Sequence, residues 1–372
     1  MEMSFATAED VITTTEALVK KLWASVMPEP LGPEPFHRMS YYEAMGSYGS
    51  DKPDTRFDMK LHRVEQYLPA DFIGKISSLN SPVVEAFIVK GNGHPEETMR
   101  VLRSFMNTPE AKDFLDNPDG APGTFVIDSS KPMGGLSAAG FEGAWDLETL
   151  FKSEHGDLIF FQCRKDEPFS GGLTKAGELR LAVHQYMVEK GFLSPPVGFD
   201  FHWVTGFPLF SPSVETEPGQ GGTAGIASTH HPFTAPRTAE DAALLLTDPT
   251  KAIADHYDLV VNGVELGGGS RRIHSAAVQE FVLRDILRVP PSRLQSFSHL
   301  LECLRAGCPP HAGIALGFDR LIAVMRGTQS VRNVIAFPKG NKGEDPMVKT
   351  PSPMTEDSLQ TYHLQLRQGG QS

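Results

Sequence analysis

The stretch YDLVVNGVELGGGSRRIH, residues 257–274, most constrains how this chain folds. Its apolar start indicates a buried strand that runs from Tyr257 into Glu265, and three consecutive glycines, Gly267–Gly269, follow. Glycine has no Cβ, so a strand carries it where a ligand approaches the backbone closely. The stretch therefore predicts a buried sheet that is open to a ligand at the glycines.

Asp258 and Glu265 are the acids of this stretch, and seven positions apart on one strand they would point to opposite faces. A turn or bulge around Asn262 and Gly263 would bring both carboxylates to one cavity. Paired carboxylates near a phosphate site are typical magnesium ligands. Arg272 adds a planar fork that suits a carboxylate or a phosphate. The alternative is a surface hairpin with a solvated charge cluster, and the stretch alone favours neither.

A second candidate is PPHAGIALGFDRLIAVM, residues 309–325, in which small residues on a strand lead into a helix near Asp319. A flat ligand could lie against such a backbone, with the Arg320 guanidinium on its ring or on its phosphates. The alternative is a close packing turn between strand and helix with an exposed arginine.

A third candidate is STHHPFTAP, residues 228–236. His230 and His231 are adjacent, and neighbouring side chains on extended backbone point apart, which disfavours a shared metal ion. The functional interpretation is that His230 forms a hydrogen bond with a substrate. The alternative is that it is a structural histidine.

The chain has 372 residues, 34 of them basic and 46 acidic, so its net charge is −12. This length can hold two domains, since single cores rarely exceed about 250–300 residues. The acidity opposes non-specific attraction to nucleic acid, so local basic groups must hold any polynucleotide partner. Three cysteines are too few for a disulfide framework, which favours a reducing compartment. No apolar run approaches the roughly 18 residues of a membrane span, so no membrane partner is expected.

The pattern along the chain predicts an interrupted organisation. Residues 2–6 read as a strand followed by a helix that Thr7 and Asp10 cap, and Ser40 with Glu43 predicts a second helix start. From residue 69 to 195, short alternating strands, helices and glycine-rich turns indicate a separate α+β module.

Taken together, these segments resemble the aspartyl-tRNA synthetases of the bacterial and mitochondrial type, which are class II aminoacyl-tRNA synthetases. GIALGFDRL is similar to motif 3 of that class, and GVELGGGSRRIH to the family segment E-x-G-G-G-S-x-R. HHPFT, YGSDKPDTR, PPHAG and IAFPK match further landmarks. The resemblance is close over residues 1–60 and 197–350 and looser over 69–190, which resembles the insertion module of the bacterial type.

The resemblance implies an α+β fold with a class II antiparallel sheet flanked by helices and interrupted by a smaller α+β insertion module. The implied organisation is residues 1–68 and 196–350 for the two parts of the catalytic domain. Residues 69–195 form the insertion module and 351–372 a C-terminal tail.

The resemblance also implies an aspartate–tRNA ligase. In that reaction aspartate attacks the α-phosphate of ATP to give aspartyl-adenylate and pyrophosphate, and the acyl group then moves to tRNA(Asp). Mg²⁺ is the implied metal. Positioning and charge stabilisation carry such a displacement, so the protein need not supply a nucleophile.

Site roles follow from the matching motif positions. Asp258 and Glu265 match the acids that hold magnesium and ATP, and Arg272 matches the arginine on the side-chain carboxylate of aspartate. His230 matches the histidine beside the bound amino acid. The implied ATP-binding residues are Glu265, Gly317, Phe318, Asp319 and Arg320, of which Glu265 and Arg320 are also the implied catalytic residues.

Four parts of the family pattern are expected to be missing, because EMSF, residues 2–5, resembles the tail of the last motif 2 strand. They are the anticodon-binding β-barrel, motif 1 with its dimer interface, the loop that selects aspartate and the motif 2 arginine. The family homodimer is therefore not expected to form through that segment. Gly206 also stands where the family more often has aspartate. Weak binding of ATP and aspartate and poor charging of tRNA are expected.

Other functions stay open at this point. One is a catalytically inactive synthetase-like protein that binds a nucleotide or a partner through the inserted module. Another is an amidating ligase of the related asparagine synthetase type, which the inserted module and YGSDKPDTR disfavour. The extended C-terminal segment favours the organellar branch, so the mitochondrial matrix is the expected location and the bacterial cytoplasm the alternative.

Overall fold

The computed structural model describes residues 1–213 and 222–366. The chain divides into two compact units, Met1–Leu316 and Gly317–Ser372. Part of the predicted tail, residues 367–372, lies outside the described residues. Among the described helices, none is long and apolar enough to cross a membrane.

The first unit contains a six-stranded sheet, whose strands are numbered here in chain order through the whole chain. Five of the strands pair antiparallel with their neighbours, in the order β1-β12-β11-β10-β7, and β2 pairs parallel with β7 at one edge. The α+β prediction is confirmed, with this parallel pair as an addition to the antiparallel sheet. The strands are β1 (Glu2–Ser4), β2 (His37–Ser40), β7 (Phe201–Thr205), β10 (His256–Val261), β11 (Val264–Arg271) and β12 (His311–Leu316).

A second, four-stranded sheet has the order β3-β4-β6-β5 and is antiparallel throughout. Its two central strands are buried on both faces, because alternate side chains enter two separate hydrophobic clusters. The sheet takes strands from both sides of residue 69, and the boundaries of the insertion module stay a prediction. The strands are β3 (His62–Arg63), β4 (Val83–Val89), β5 (Gly123–Val126) and β6 (Leu158–Arg164).

Helices cover these sheets, and a short pair of strands, β8 (Phe210–Pro212) and β9 (Ile226–Ser228), lies outside them. The predicted capping box of Thr7 and Asp10 is confirmed, and of the box predicted at Ser40 and Glu43 the structure shows one half, in which the Ser40 hydroxyl accepts from the Glu43 amide. The helices of the first unit are α1 (Ala8–Val26), α2 (Tyr41–Tyr48), α3 (Ala70–Ile76), α4 (Pro95–Met106), α5 (Pro109–Leu115), α6 (Gly140–Phe151), α7 (Lys175–Glu189), α8 (Ala239–Leu244), α9 (Ala276–Phe281), α10 (Pro291–Leu294) and α11 (Ser298–Ala306).

The second unit contains α12 (Phe318–Met325) and α13 (Glu356–Thr361). Between them, Lys339 forms an ion pair with the buried Asp345 at 2.6 Å.

Arg180 of α7 holds the loop that precedes the second sheet. Its guanidinium is 0% exposed and donates to the backbone carbonyls of Asp54, Phe57 and Met59. The group also lies over the ring of Phe57, and burial lowers the pKa of Arg180 to about 10. Three carbonyl partners compensate a buried cation only in part, so the contact specifies the path of the loop more than it stabilises the fold.

His202 on β7 is a buried histidine that has no compensating partner among residues 1–213 and 222–366. It is 1% exposed, and neither ring nitrogen has a hydrogen-bond partner among the described residues. Burial lowers the pKa of His202 to about 4. The unfolded chain, in which a histidine has a pKa of about 6.5, therefore binds more protons than the folded chain between these values. Stability must fall as the pH is lowered through this window.

Replacement of His202 by leucine removes this proton uptake. We expect His202→Leu to lose less unfolding free energy than the parent chain between pH 7 and pH 5, by on the order of 2 kcal/mol. Urea unfolding at several pH values measures the difference, with His299→Leu as the control for losing one exposed histidine. Equal pH dependence in His202→Leu and the parent chain would contradict this assignment.

Candidate active site

The hairpin of β10 and β11 builds the centre of the candidate site. Its turn uses Asn262 and Gly263, both with positive φ, at 53° and 80°. Such a turn joins twisted antiparallel strands without splaying them, and Asn-Gly favours it. The sequence placed the turn correctly, although it suggested one strand where the structure has two.

A shift in pairing brings the two acids to one face. Asp258 pairs with Gly268, but after the shift between Leu259 and Val260, Val260 pairs with Glu265. Because Asp258 and Val260 share a face of β10, Glu265 and Gly268 lie on that face of β11. An unshifted register would have turned Glu265 away. The prediction that a turn or bulge unites the carboxylates is confirmed.

Gly268 lies directly beneath the two carboxylates. A Cβ at this position would overlap Oδ1 of Asp258 and lie 3.5 Å from Oε1 of Glu265. Gly267 and Gly269 lie against the neighbouring strand instead, because a Cβ at either position would overlap a backbone carbonyl of β12. The glycines therefore admit the acids and the neighbouring strand, rather than a ligand alone as the sequence suggested.

A hollow of about 310 Å³ opens above these groups. It collects residues that are far apart in the sequence, from the segment before β10, from both strands of the hairpin and from β12. Of the predicted site residues, the hollow unites His230, Asp258, Glu265 and Arg272. Its lining also includes His231, Phe233, His256, Gly268, Gly269 and Ala315.

Arg272 already holds a carboxylate. Its Nε and Nη2 donate to the two oxygens of Glu2 at 3.1 and 3.3 Å, and its Nη1 donates to the Ser270 hydroxyl at 2.9 Å. Glu2 reaches the arginine from β1, across β12, where Gly313 leaves room for its carboxylate. This two-point contact is the geometry expected of an arginine that recognises carboxylates.

Two histidine rings also line the hollow. His230 and His256 stack with centroids 3.6 Å apart and planes at 12°, and Phe207 meets both rings edge-on. Burial lowers the pKa of each histidine to about 3, so both are neutral at pH 7. The two rings thus present imidazole nitrogens without positive charge.

One nitrogen of His256 contacts Asp258. Its Nε2 lies 2.9 Å from Oδ1 of Asp258, a residue that is 2% exposed. His230, His256 and Asp258 offer ligand atoms within 4.8 Å of one another. Stacked rings, however, hold their in-plane lone pairs in two nearly parallel planes 3.6 Å apart, which disfavours one ion bound in the plane of both rings. The carboxylate pair of Asp258 and Glu265 remains the better metal ligand set.

Asp51 and Lys52 join the site, although sequence reasoning assigned them no role. Lys52 Nζ lies 2.9 Å from both oxygens of Asp51 and 3.9 Å from Oε2 of Glu265. Burial raises the pKa of Asp51, Lys52 opposes this shift, and the nearby Asp258 and Glu265 add to it. Asp51 also lines an adjacent hollow of about 520 Å³ that shares His230. The available signal was the charged pair inside YGSDKPDTR.

The remaining predicted residues belong to the second unit. Gly317 is the N-cap of α12, and Phe318, Asp319 and Arg320 form its exposed first turn, with Phe318 71% exposed. Their predicted role in ATP binding stays a prediction.

Comparison with known proteins matches this chain to tRNA synthetases. A family model described as tRNA synthetases class II (D, K and N) matches residues 1–341. The aspartate–tRNA(Asp/Asn) ligase of Opitutus terrae is 35% identical over 98% of this chain and 59% of its own length. The mitochondrial aspartate–tRNA ligase of Schizosaccharomyces pombe is 35% identical over 98% of this chain and 57% of its own.

The chain thus spans about three fifths of the length of these relatives. A solved structure, the aspartyl tRNA synthetase from Entamoeba histolytica, is 15% identical and has a TM-score of 0.30, with 91% of this chain and 59% of that chain covered. A likeness of this size carries no further argument.

The space above Gly268 can be tested by substitution. Gly268→Ala places a methyl group against the Asp258 carboxylate, and we expect it to lower the unfolding free energy by about 1–3 kcal/mol. Gly46→Ala is the matched control, because a Cβ there meets nothing within 4 Å and Gly46 lies inside α2. The control should stabilise by up to about 1 kcal/mol. Urea unfolding measures both, and similar values for the two variants would refute the crowding at Gly268.

Proposed function

The chain belongs to the class II tRNA synthetases of the D, K and N type, and we propose that its hollow is where an aspartate–tRNA ligase activates aspartate. The proposed reaction joins aspartate and ATP to aspartyl-adenylate and pyrophosphate, and the acyl group then passes to tRNA(Asp). One observation carries the proposal. An arginine in a two-point contact with a carboxylate shares a single hollow with two acids suited to a metal.

Arg272 is the proposed receptor for the side-chain carboxylate of aspartate. A guanidinium has five N–H groups. The hydrogen bonds to Glu2 use the N–H of Nε and one N–H of Nη2, and the hydrogen bond to Ser270 uses one N–H of Nη1. Among the described residues, one N–H on Nη1 and one on Nη2 remain for a ligand. These suffice for a second two-point contact with a carboxylate, while Glu2 and Ser270 hold the guanidinium in place.

This arrangement also favours aspartate over asparagine. An amide cannot accept at both of its positions, so one N–H of the Arg272 fork would face another donor. A site built to bind a charged or polar group rejects an analogue that leaves that group unpaired. His230 is the proposed neighbour of the bound amino acid, and its neutral ring adds no charge that would compete for the carboxylate.

Asp258 and Glu265 are the proposed ligands of Mg²⁺. They fit this role because both carboxylates converge above Gly268, and carboxylate oxygens are what magnesium prefers. When bound, the ion would neutralise negative charge on the phosphates of ATP. Gly317, Phe318, Asp319 and Arg320, together with Glu265, are the proposed contacts of ATP. Arg320 and Glu265 are the proposed catalytic residues, which stabilise developing charge.

The wider organisation is proposed on the same basis. Residues 1–68 and 196–350 form the catalytic domain, 69–195 the insertion module and 351–372 a tail. The four-stranded sheet supports a separate module because three of its strands lie within residues 69–195, although β3 and core residues such as Leu61 precede residue 69. The proposed location is the mitochondrial matrix, with the bacterial cytoplasm as the alternative, because relatives of both kinds match equally well. A homodimer is proposed for the whole ligase.

Arg272 provides the test of substrate recognition. We expect Arg272→Gln to weaken binding of L-aspartate by at least about tenfold, because truncating a hydrogen-bonded charge partner costs about 2–5 kcal/mol. Titration calorimetry with L-aspartate, and with L-asparagine as the rejected analogue, measures the change. Arg284→Gln is the control, since Arg284 pairs with the exposed Asp285 away from the hollow. Binding of both amino acids with equal affinity to the parent chain would overturn the proposed function.

Glu265 provides the test of the metal site. We expect Glu265→Gln to weaken Mn²⁺ binding by at least about tenfold, since an amide is a poorer ligand for a hard cation than a carboxylate. Electron paramagnetic resonance of free Mn²⁺ measures binding in the presence of ATP. Glu280→Gln, which alters a surface pair with Arg305, serves as the control. Unchanged Mn²⁺ affinity in Glu265→Gln would remove Glu265 from the ligand set.

A further inference from the structure

His256 lies between two parts of the hollow, the proposed amino-acid side with His230 and the proposed metal side with Asp258. The proposed function assigns His256 no part. It is the first residue of β10, is 6% exposed and lines the same hollow as His230 and Asp258. In the sequence it is one histidine at the start of an apolar run, which reads as a core residue. In the structure it contacts one group from each half.

The first contact is with the amino-acid side of the site. The His256 ring lies face to face with the His230 ring at 3.6 Å, and both meet the edge of Phe207 at 89°. His230 Nε2 is buried without a hydrogen-bond partner among the described residues, so no hydrogen bond at that nitrogen fixes the ring. Stacking on His256 and the edge of Phe207 therefore determine the plane of His230.

The second contact is with the metal side. His256 Nε2 lies 2.9 Å from Oδ1 of Asp258, the same oxygen that lies above Gly268. Because an ionised carboxylate can only accept, we assign the proton of the neutral ring to Nε2. A donor at this oxygen limits rotation of the carboxylate about its last bond. Groups that hold a metal-binding carboxylate in this way usually affect metal affinity strongly.

We propose that His256 is a positioning residue with two separable functions. Its ring orients His230 for the amino acid, and its Nε2–H orients Asp258 for the metal. The proposal rests on the proposed function, since it specifies how the amino-acid and metal halves of that site are held together. It predicts that the two functions respond to different substitutions.

Two variants separate the functions. His256→Gln keeps an N–H donor near the position of Nε2 but has no ring to stack on His230. His256→Phe keeps an aromatic ring beneath His230 but has no donor for Asp258. The probes are L-aspartate in titration calorimetry and Mn²⁺ in electron paramagnetic resonance, both with the full chain.

The expected results are opposite for the two variants. His256→Gln should weaken L-aspartate binding by about three- to tenfold, the range that one aromatic stack contributes, and leave Mn²⁺ affinity within about twofold. His256→Phe should weaken Mn²⁺ binding by about 10- to 100-fold and leave L-aspartate affinity within about twofold. Equal losses of both ligands in both variants, or no loss in either, would overturn the proposal.

A measurement without ligands covers the case in which His256→Phe does not fold. Long-range proton–nitrogen spectra of chain labelled in histidine should show the proton of His256 on Nε2 in the parent chain. In His256→Gln the ring protons of His230 should shift, because a ring stacked at 3.6 Å is lost. A proton on Nδ1, or unshifted His230 signals, would overturn the proposal.

Failure of the proposed function has a different signature. If the parent chain binds neither L-aspartate nor Mn²⁺, the proposed function fails and the positioning role fails with it. If the parent chain binds both and the variants do not diverge, only the positioning role fails.

Discussion

A one-residue shift in the pairing of β10 and β11 places both acids of the candidate site on one face of the sheet. Asp258 and Glu265 meet above Gly268 only because the register changes between Leu259 and Val260. Side chains alternate along a strand. If the pairing of Asp258 with Gly268 continued without the shift, Glu265 would pair with Val261 and point to the opposite face. The proposed metal site, the position of Lys52 beside Glu265 and the floor of the hollow all follow from this shift.

Charge balance explains how so many ionisable groups share a small hollow. Arg272 forms an ion pair with Glu2. Lys52 forms an ion pair with Asp51 and also lies near the Glu265 carboxylate. The two stacked histidines are kept neutral by burial and so add no positive charge between these pairs. Three carboxylates, those of Asp51, Asp258 and Glu265, still lie close together, and their repulsion is the reason that a bound cation would be favoured there.

Local signals in the sequence predicted the parts of the site but not their partners. The capping residues Thr7 and Asp10, the turn at Asn262 and the shared cavity of the two acids are confirmed, because each depends on neighbouring residues. The exact point of the register shift depends on packing between strands, which spacing alone does not reveal. Glu2 meets Arg272 from 270 positions away, and His256 becomes informative only once its ring contacts His230.

The proposed site requires Asp258 and Glu265 to bind one cation beside Arg272, the proposed carboxylate receptor. Anomalous diffraction at the manganese edge, from crystals grown with Mn²⁺ and L-aspartate, tests this claim most directly. We expect a manganese peak between the carboxylates of Asp258 and Glu265, with the side-chain carboxylate of L-aspartate on Arg272. A peak held by His230 and His256 instead, or L-aspartate bound away from Arg272, would contradict it.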